Sequence, residues 1–353
     1  LPTSTKAELA MYHHQSLGSP PVSTIIKAIN NNQLRSFPGL DASLITKHLP
    51  PSKATAKGHM VRRRQGINSS RNQQQEILDA RLEVDDMNPP QEVCSAYDNE
   101  MFCFATLAEN IPGTFYSDQT GRFPVQSYAG KQYIFIGYVY DENIILMRAM
   151  KDRSEGSMIE VFKEVYEYLE ERNCKPKLHV LDNECSKTLR SFIKKNDIDI
   201  QLVEPHNHRV NAAEPALKTA KYHAIAHLCT MSKDTPLQLW CAMLPQIEMT
   251  LNMLRTSRRD PSISAYEALE GAFDYNRTPI APIGTPAVLY DEERGTFAPH
   301  GTDAFYVRPS MLHFRNEIYW VPSTRSFRIT GSRTLYPAHC SVPTISEADR
   351  TLL

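Results

Sequence analysis

The sequence predicts an α/β fold: a mixed sheet of five strands with helices, preceded by a small helical module and followed by a β-rich stretch. Three observations predict it. Between about residues 112 and 230, apolar runs of strand length come first as a block and then alternate with segments of helical periodicity. The order is strand-strand-strand-helix-strand-helix-strand-helix. Ahead of that block, apolar residues recur at helical spacing. Beyond residue 287, short β-rich runs follow one another at regular intervals. The expected organisation is a helical module over 1–58, a charged linker over 59–110, the α/β core over 111–275, a proline-rich linker over 276–286 and a small β-domain over 287–345.

The first 50 or so residues read as helical. Ser23 to Asn31 carries Ile25, Ile26 and Ile29, and Ser43 to His48 repeats the pattern between Pro38 and Pro50. His13 and His14 stand near the start, with His48 and His59 the further histidines nearby. No cysteine occurs before Cys94, so no structural zinc is expected. From Lys53 to Arg71 the chain carries Lys53, Lys57, Arg62, Arg63, Arg64 and Arg71 without an acidic residue, and the acidic stretch Glu76 to Glu109 follows. Arg62, Arg63 and Arg64 make this run either an arm that contacts phosphates or a solvated linker that offsets the acids after it. Gln65 to Gln75 and Met87 to Pro90 read as linker.

In the core, Thr114 to Ser117 ends a first strand, and Asp118 follows directly. Phe123 to Ser127, Lys131 to Tyr140 and Asn143 to Met150 are β-rich runs, with turn signals at Ala129-Gly130 and Asp141-Glu142-Asn143. Three successive antiparallel strands are the simplest arrangement. Ser154 to Asn173 is an amphipathic helix with Met158, Val161, Phe162, Val165 and Leu169 on one face. Lys177 to Leu181 is a short strand that ends at Asp182, Cys185 to Lys195 a helix, and Asp199 to Val203 a strand. After the loop Glu204 to Val210, Asn211 and Glu214 have capping-box spacing and open a further helix. Glu214, Lys218 and Lys221, at i, i+4 and i+7, share a face of it.

Pro236 to Leu254 reads as an apolar helix pair, interrupted at Pro245, whose role is packing. Ser262 to Leu269 is another helix, and Pro279, Pro282 and Pro286 mark a linker. The β-rich end carries Arg308, Arg315, Arg325, Arg328 and Arg333 among Tyr306, Phe314, Tyr319 and Trp320. Arginines with aromatics suit contact with nucleic acid, and surface arginines over an aromatic core give the same pattern.

Composition bounds the function. With 353 residues, 41% hydrophobic and 22% charged, the chain can bury a large core in two or three domains. Its longest apolar run, near Tyr133 to Tyr140, is too short to span a bilayer, so no membrane partner is expected. The 7 scattered cysteines form no Cys-x-x-Cys pair, which fits reduced thiols and an intracellular location. A net charge of −1 excludes a uniformly basic nucleic-acid binder. The chain starts with Leu, which fits a segment of a longer polyprotein or a partial reading frame.

The chemistry lies in three carboxylates. Asp118 and Asp182 at the ends of two strands and Glu214 on a late helix can converge and bind two Mg²⁺ or Mn²⁺ ions through oxygen. Two such ions serve an in-line displacement at phosphorus. YSDQTGRFPVQS, LDNECSKTLRSF, PHNHRVNAAE and TLNMLRTSRRDPSISAYEALEGAFDYNRTPIAP together resemble the integrase of copia-type long-terminal-repeat retrotransposons, near the diatom and algal lineage. The resemblance extends to YHHQSLGSP and KGHMVRRRQG upstream and APHGTDAFYV downstream.

It implies a ribonuclease-H-like core with a catalytic and metal-binding triad of Asp118, Asp182 and Glu214, two Mg²⁺ ions, and a small Src-homology-3-like barrel. It also implies joining of element ends to target double-stranded DNA, contacts from Lys218 and Lys221, assembly into a homo-oligomer, and a place in the nucleus or a virus-like particle; Arg209 and Arg62 to Arg64 are further candidates for contact with DNA.

Three features depart from the family. The interval from Asp182 to Glu214 is somewhat short, and the N-terminal His/His/Cys/Cys pattern is not recognisable. Pro215 also stands where the family has Arg. If Asn211 is the cap, Pro215 collides with its carbonyl; if the helix starts at Pro215, Glu214 becomes the cap and its carboxylate shifts. The expectation is therefore a DNA strand transferase. An impaired remnant that only binds DNA and self-associates, or an unrelated nuclease on the same fold, are the alternatives.

Overall fold

The computed structural model describes residues 3–60, 112–181, 186–203, 213–291 and 296–337. The chain divides into two compact units, residues 1–59 with 113–353 and residues 60–112. Every described helix and strand belongs to the first.

The centre of that unit is a mixed five-stranded sheet formed by β1 (Thr114–Gln119), β2 (Tyr133–Val139), β3 (Ile144–Met150), β4 (Leu178–Leu181) and β5 (Asp199–Leu202), in the order β3-β2-β1-β4-β5. β1, β2 and β3 are antiparallel, with Asp118 opposite Ile136 and Ile136 opposite Met147. β4 runs parallel to β1, with Val180 beside Tyr116, and β5 runs parallel to β4. A parallel neighbour needs a crossover, and α5 (Glu155–Glu170) supplies it between β3 and β4. Its cap is Ser154, which accepts from the Ser157 amide. The face expected from periodicity is the buried one: Met158, Val161, Phe162, Val165 and Leu169 pack on Phe115, Phe135, Leu146 and Ile193. α6 (Lys187–Lys195), capped by Ser186, adds Leu189 and Ile193 to that core.

One expected strand is absent. Phe123 to Ser127 forms no strand, although the Phe123 and Ser127 amides donate to the Gln132 and Lys131 carbonyls at 2.7 and 2.9 Å. The Phe123 ring stacks on Trp240 at 4.6 Å, and the Trp240 indole N–H donates to the Val125 carbonyl at 2.9 Å. Pro124, lacking an N–H, weakens pairing further.

α7 (Ala213–Thr230) packs on β1, β2 and β3. α8 (Trp240–Met253) is one continuous helix after a short 3₁₀ turn at Leu237–Leu239, so the expected interruption at Pro245 does not occur. Its buried residues on both sides of Pro245 hold the helix together across the missing hydrogen bond. α9 (Ala265–Glu270) is capped by Ser264.

The N-terminal stretch forms α1 (Thr3–Ser16), α2 (Val22–Asn30), α3 (Ala42–His48) and α4 (Lys53–His59). Leu17, Ile25, Leu34, Phe37 and Ile45 share one core with Met249 and Met253 of α8 and with Tyr275 and Ile280. His13 and His14 are buried, on the Pro38 carbonyl at 2.9 Å and the Pro20 carbonyl at 2.8 Å. α4 takes the first part of the basic run into the fold. Arg62, Arg63 and Arg64 lie outside the described residues.

The C-terminal strands are β6 (Pro286–Tyr290), β7 (Gly301–Pro309), β8 (Glu317–Val321), β9 (Ser326–Thr330) and β10 (Arg333–Leu335). They form a second, antiparallel sheet in the order β10-β6-β7-β8-β9. Its core of Leu289, Tyr306, Tyr319 and Val321 also takes in Tyr12 of α1 and Ala281. The proline-bearing stretch before β6 is packed inside, since Ile280, Ala281 and Ile283 are all buried.

Candidate active site

Asp118 lies on β1, the middle strand, one residue before its end. Phe115, Tyr116 and Ser117 ahead of it are buried, and Asp118 itself is half-buried, as expected for a carboxylate where a strand leaves the core. Its Oδ1 accepts from the Gln119 amide at 2.6 Å.

The direction of this side chain follows from its neighbours. Phe115 packs edge-on against Tyr166 of α5, and Ser117 reaches the same side through His179. Strand residues alternate, so Asp118 points to the opposite face. α7 packs on β1 and contributes no residue to the α5-side core. The helix that carries Glu214 therefore covers the face to which Asp118 points.

The Ser117-His179-Tyr166 chain ties β1, β4 and α5 together under the site. The Ser117 hydroxyl lies 2.8 Å from His179 Nε2, and the Tyr166 hydroxyl lies 2.5 Å from Nδ1. Complete burial pushes the imidazole down to about 3, so the ring is neutral. With Tyr166 donating to Nδ1, Nε2–H donates to Ser117. Sequence reasoning missed this residue. Its one signal was a histidine within the otherwise apolar LHVL run.

Glu214 is exposed in the first turn of α7. Lys218 and Lys221 are exposed too, and Lys218 Nζ lies 5.8 Å from the Tyr222 ring centre. The buried stripe of the helix is Ala216, Ala220, His223, Ala224 and His227, whose small residues let α7 approach the sheet closely. The three expected site residues of α7 thus share its solvent side.

Pro215 falls in the first turn, after Ala213 and Glu214. Ala213 and Glu214 ahead of it are helical, so the helix does not start at Pro215; Asn211, the other expected cap, lies outside the described residues. The Pro215 carbonyl accepts from the Thr219 hydroxyl at 3.0 Å.

Asp182 directly follows Leu181, the last residue of β4, and lies outside the described residues, as does Arg209. Among the described residues, no three of His, Cys, Asp and Glu are grouped to hold a metal ion. Asp118 and Glu214 offer carboxylate oxygens, the donor type that suits Mg²⁺. A cleft of about 460 Å³ lined by Met147, Tyr168, Leu244, Glu248, Tyr266 and Arg308 contains neither of them.

The C-terminal aromatics and arginines divide into two sets. Tyr306 and Tyr319 are fully buried, and Arg333 grips buried Glu317 at 2.7 and 2.8 Å, so these are core. Tyr128, Trp320 and Phe327 form a partly exposed cluster with ring centres 5.1 to 6.4 Å apart. Phe314 and Arg325 are exposed.

No family model and no curated protein matches the chain. Among solved structures it is similar to the simian T-cell lymphotropic virus intasome in complex with PP2A regulatory subunit B56 gamma. That match has 11% identity, covers 66% of this chain and 84% of that chain, and has a TM-score of 0.35. It is also similar to the catalytic core domain of BIV integrase, at 12% identity over 45% of this chain and 93% of that chain, with a TM-score of 0.34. Both are retroviral integrases. Among the described residues, no helix is long and apolar enough to cross a membrane.

Proposed function

We propose that the chain is an integrase-type polynucleotidyl transferase of the copia-type kind that its motifs resemble. Asp118, Asp182 and Glu214 hold two Mg²⁺ ions, and Lys218, Lys221, Arg209 and Arg62 to Arg64 contact the DNA. The observation that carries this reading is the placement of Asp118 on the middle strand, facing the helix that bears Glu214. In the sequence, Asp182 comes directly after the strand parallel to β1. Bound ions would polarise the attacking oxygen and stabilise the leaving one.

In the first step a water oxygen attacks a phosphodiester near the end of the element DNA, and the P–O3′ bond breaks to free a 3′-hydroxyl. In the second, that hydroxyl attacks a target phosphodiester, whose own 3′ oxygen leaves. The number of phosphodiester bonds is unchanged in this step, which fits a transferase without an energy source. Cationic Lys218 and Lys221 along the same helix face would hold the DNA backbone beside the carboxylates. Copies of the chain assemble around the two ends.

The remnant reading draws on Pro215 directly after Glu214. The test is strand transfer by the full chain on a duplex bearing the terminal sequence of its own element. Products that need Mg²⁺ and disappear with Asp118→Asn and with Asp182→Asn are expected. DNA binding without products in the unaltered chain would leave the remnant reading standing.

A further inference from the structure

Two histidines on the buried side of α7, His223 and His227, converge on one hydroxyl of α8. Thr250 Oγ1 lies 3.0 Å from His223 Nε2 and 2.9 Å from His227 Nε2, and it donates to the Gln246 carbonyl at 2.9 Å. A hydroxyl has one proton and two lone pairs, so this one is used to capacity. Both rings must then carry their proton on Nε2. Consistent with that, His227 Nδ1 faces no partner, as a bare acceptor in an apolar setting can and an N–H could not without greater cost.

The N-terminal helices press on the same spot. Gly18, at φ +83° in the turn after α1, lies so close that a Cβ there would stand 2.3 Å from His227 Nε2 and 2.8 Å from His223 Cε1. One residue on, the Ser19 hydroxyl meets the Thr230 hydroxyl at 3.0 Å. α4 lies close against the α7 backbone, since a Cβ on Gly58 would stand 2.8 Å from Ala226 Cα. The C-terminal half of α7 is thereby gripped from α8, from the α1–α2 turn and from α4.

We propose that Thr250, between His223 and His227, and Gly18, pressed against both, are positioning residues that fix the rotation and axial setting of α7, and through it the carboxylate of Glu214. The inference rests on the reading of Glu214 as a metal ligand. Glu214 is nine residues from His223, so the grip acts over roughly 13 Å of helix. At a side-chain radius of about 5–6 Å, a 20° roll of the helix moves a carboxylate by about 2 Å. A displacement of about 1 Å can cost on the order of 10²-fold in rate. The N-terminal helices are, on this account, part of what aims the site within a single chain.

The experiment compares the full chain with Thr250→Val, Thr250→Ser and Gly18→Ala, by hydrogen exchange along α7, DNA affinity and single-turnover strand transfer. In Thr250→Val, amide exchange over residues 216–220 is expected to rise about 10-fold or more, and transfer to fall by about 10²-fold, with DNA affinity unchanged. Thr250→Ser restores the acceptor and is expected to return both to within threefold of the unaltered chain. Gly18→Ala follows Thr250→Val.

Unaltered exchange over 216–220 in a folded Thr250→Val chain overturns the proposal, and so does a Thr250→Ser chain as impaired as Thr250→Val. If Thr250→Val does not fold, Thr250→Cys, which keeps the volume and weakens the acceptor, is judged by the same readings. A natural chain that makes no product with Mg²⁺ defeats the proposed function instead, and the exchange measurements still decide whether Thr250 sets α7.

Discussion

At the scale of single residues, the proline beside Glu214 and the buried histidines carry the sharpest expectations. Pro215 is exposed near the described start of α7, with Ala213 and Glu214 helical ahead of it. Pro215→Ala is therefore expected to change stability by no more than about 0.5 kcal/mol and strand transfer by less than threefold. A gain above tenfold would show instead that the proline impairs the site.

Burial pushes His13 and His14 down to about 4 and His179 and His227 down to about 3, mainly through loss of solvation. In the unfolded chain each titrates near 6.5. Between these values the unfolded state binds more protons, so stability falls as pH drops below about 6.5 and continues to fall toward the folded values. Each such histidine contributes a slope of up to about 1.4 kcal/mol per pH unit in that window. Urea midpoints from pH 7 to pH 5 should fall steadily, and His14→Gln should flatten that fall by about one histidine's share. An unchanged midpoint over this range would show that the rings protonate without leaving the core.

At the scale of elements, α8 is the part whose role local pattern concealed. Gln246, Glu248, Thr250 and Asn252 stand two apart, which on a helix puts Gln246 and Thr250 on one face and Glu248 and Asn252 on the other. The second pair serves β3, the edge strand. Asn252 accepts from the Ile145 amide at 2.9 Å and donates to its carbonyl at 2.8 Å, while Glu248 accepts from the Met147 amide at 2.5 Å and from Arg148 at 2.6 Å. The side chains thus stand in for a neighbouring strand and cover an edge that would otherwise offer itself to other chains. Asn252→Leu should cost about 2–4 kcal/mol by stranding two buried backbone groups, and should promote association. Urea unfolding with light scattering measures both, and a monodisperse variant of natural stability would refute the edge assignment.

At the scale of the whole unit, the N-terminal helices, α8 and the C-terminal sheet share their interiors. Gln246 joins all three: its Nε2 donates to the Ala281 carbonyl at 2.8 Å and to the Ser16 carbonyl at 3.4 Å, and its Oε1 accepts from the Tyr306 hydroxyl at 2.9 Å. Shared cores predict shared unfolding. Calorimetry of the full chain should show one transition for residues 1–59 and 113–337, and Gln246→Leu should lower it by about 2–3 kcal/mol of stability. Two separate transitions would mean that the helical module and the C-terminal sheet are independent.

What the sequence determined by itself was everything set by neighbours up to about four residues away. The α5 face of Met158, Val161, Phe162, Val165 and Leu169 is of this kind, as are the sheet's strands apart from Phe123 to Ser127, and the small β-strands of the end. Asp118, Asp182 and Glu214 do not stand out locally; they are picked out only together, by their order along strands and helix and by resemblance, and Asp182 lies outside the described residues.

Tertiary structure decided the rest. It chose the loop of Phe123 over a strand, since Trp240 lies more than a hundred residues away. It made α8 continuous through Pro245. It turned Thr250, His223 and His227, bland in sequence, into one saturated hydrogen-bond cluster. A buried polar group must find its partner wherever the fold supplies one, and periodicity along a single element carries no information about a partner on another.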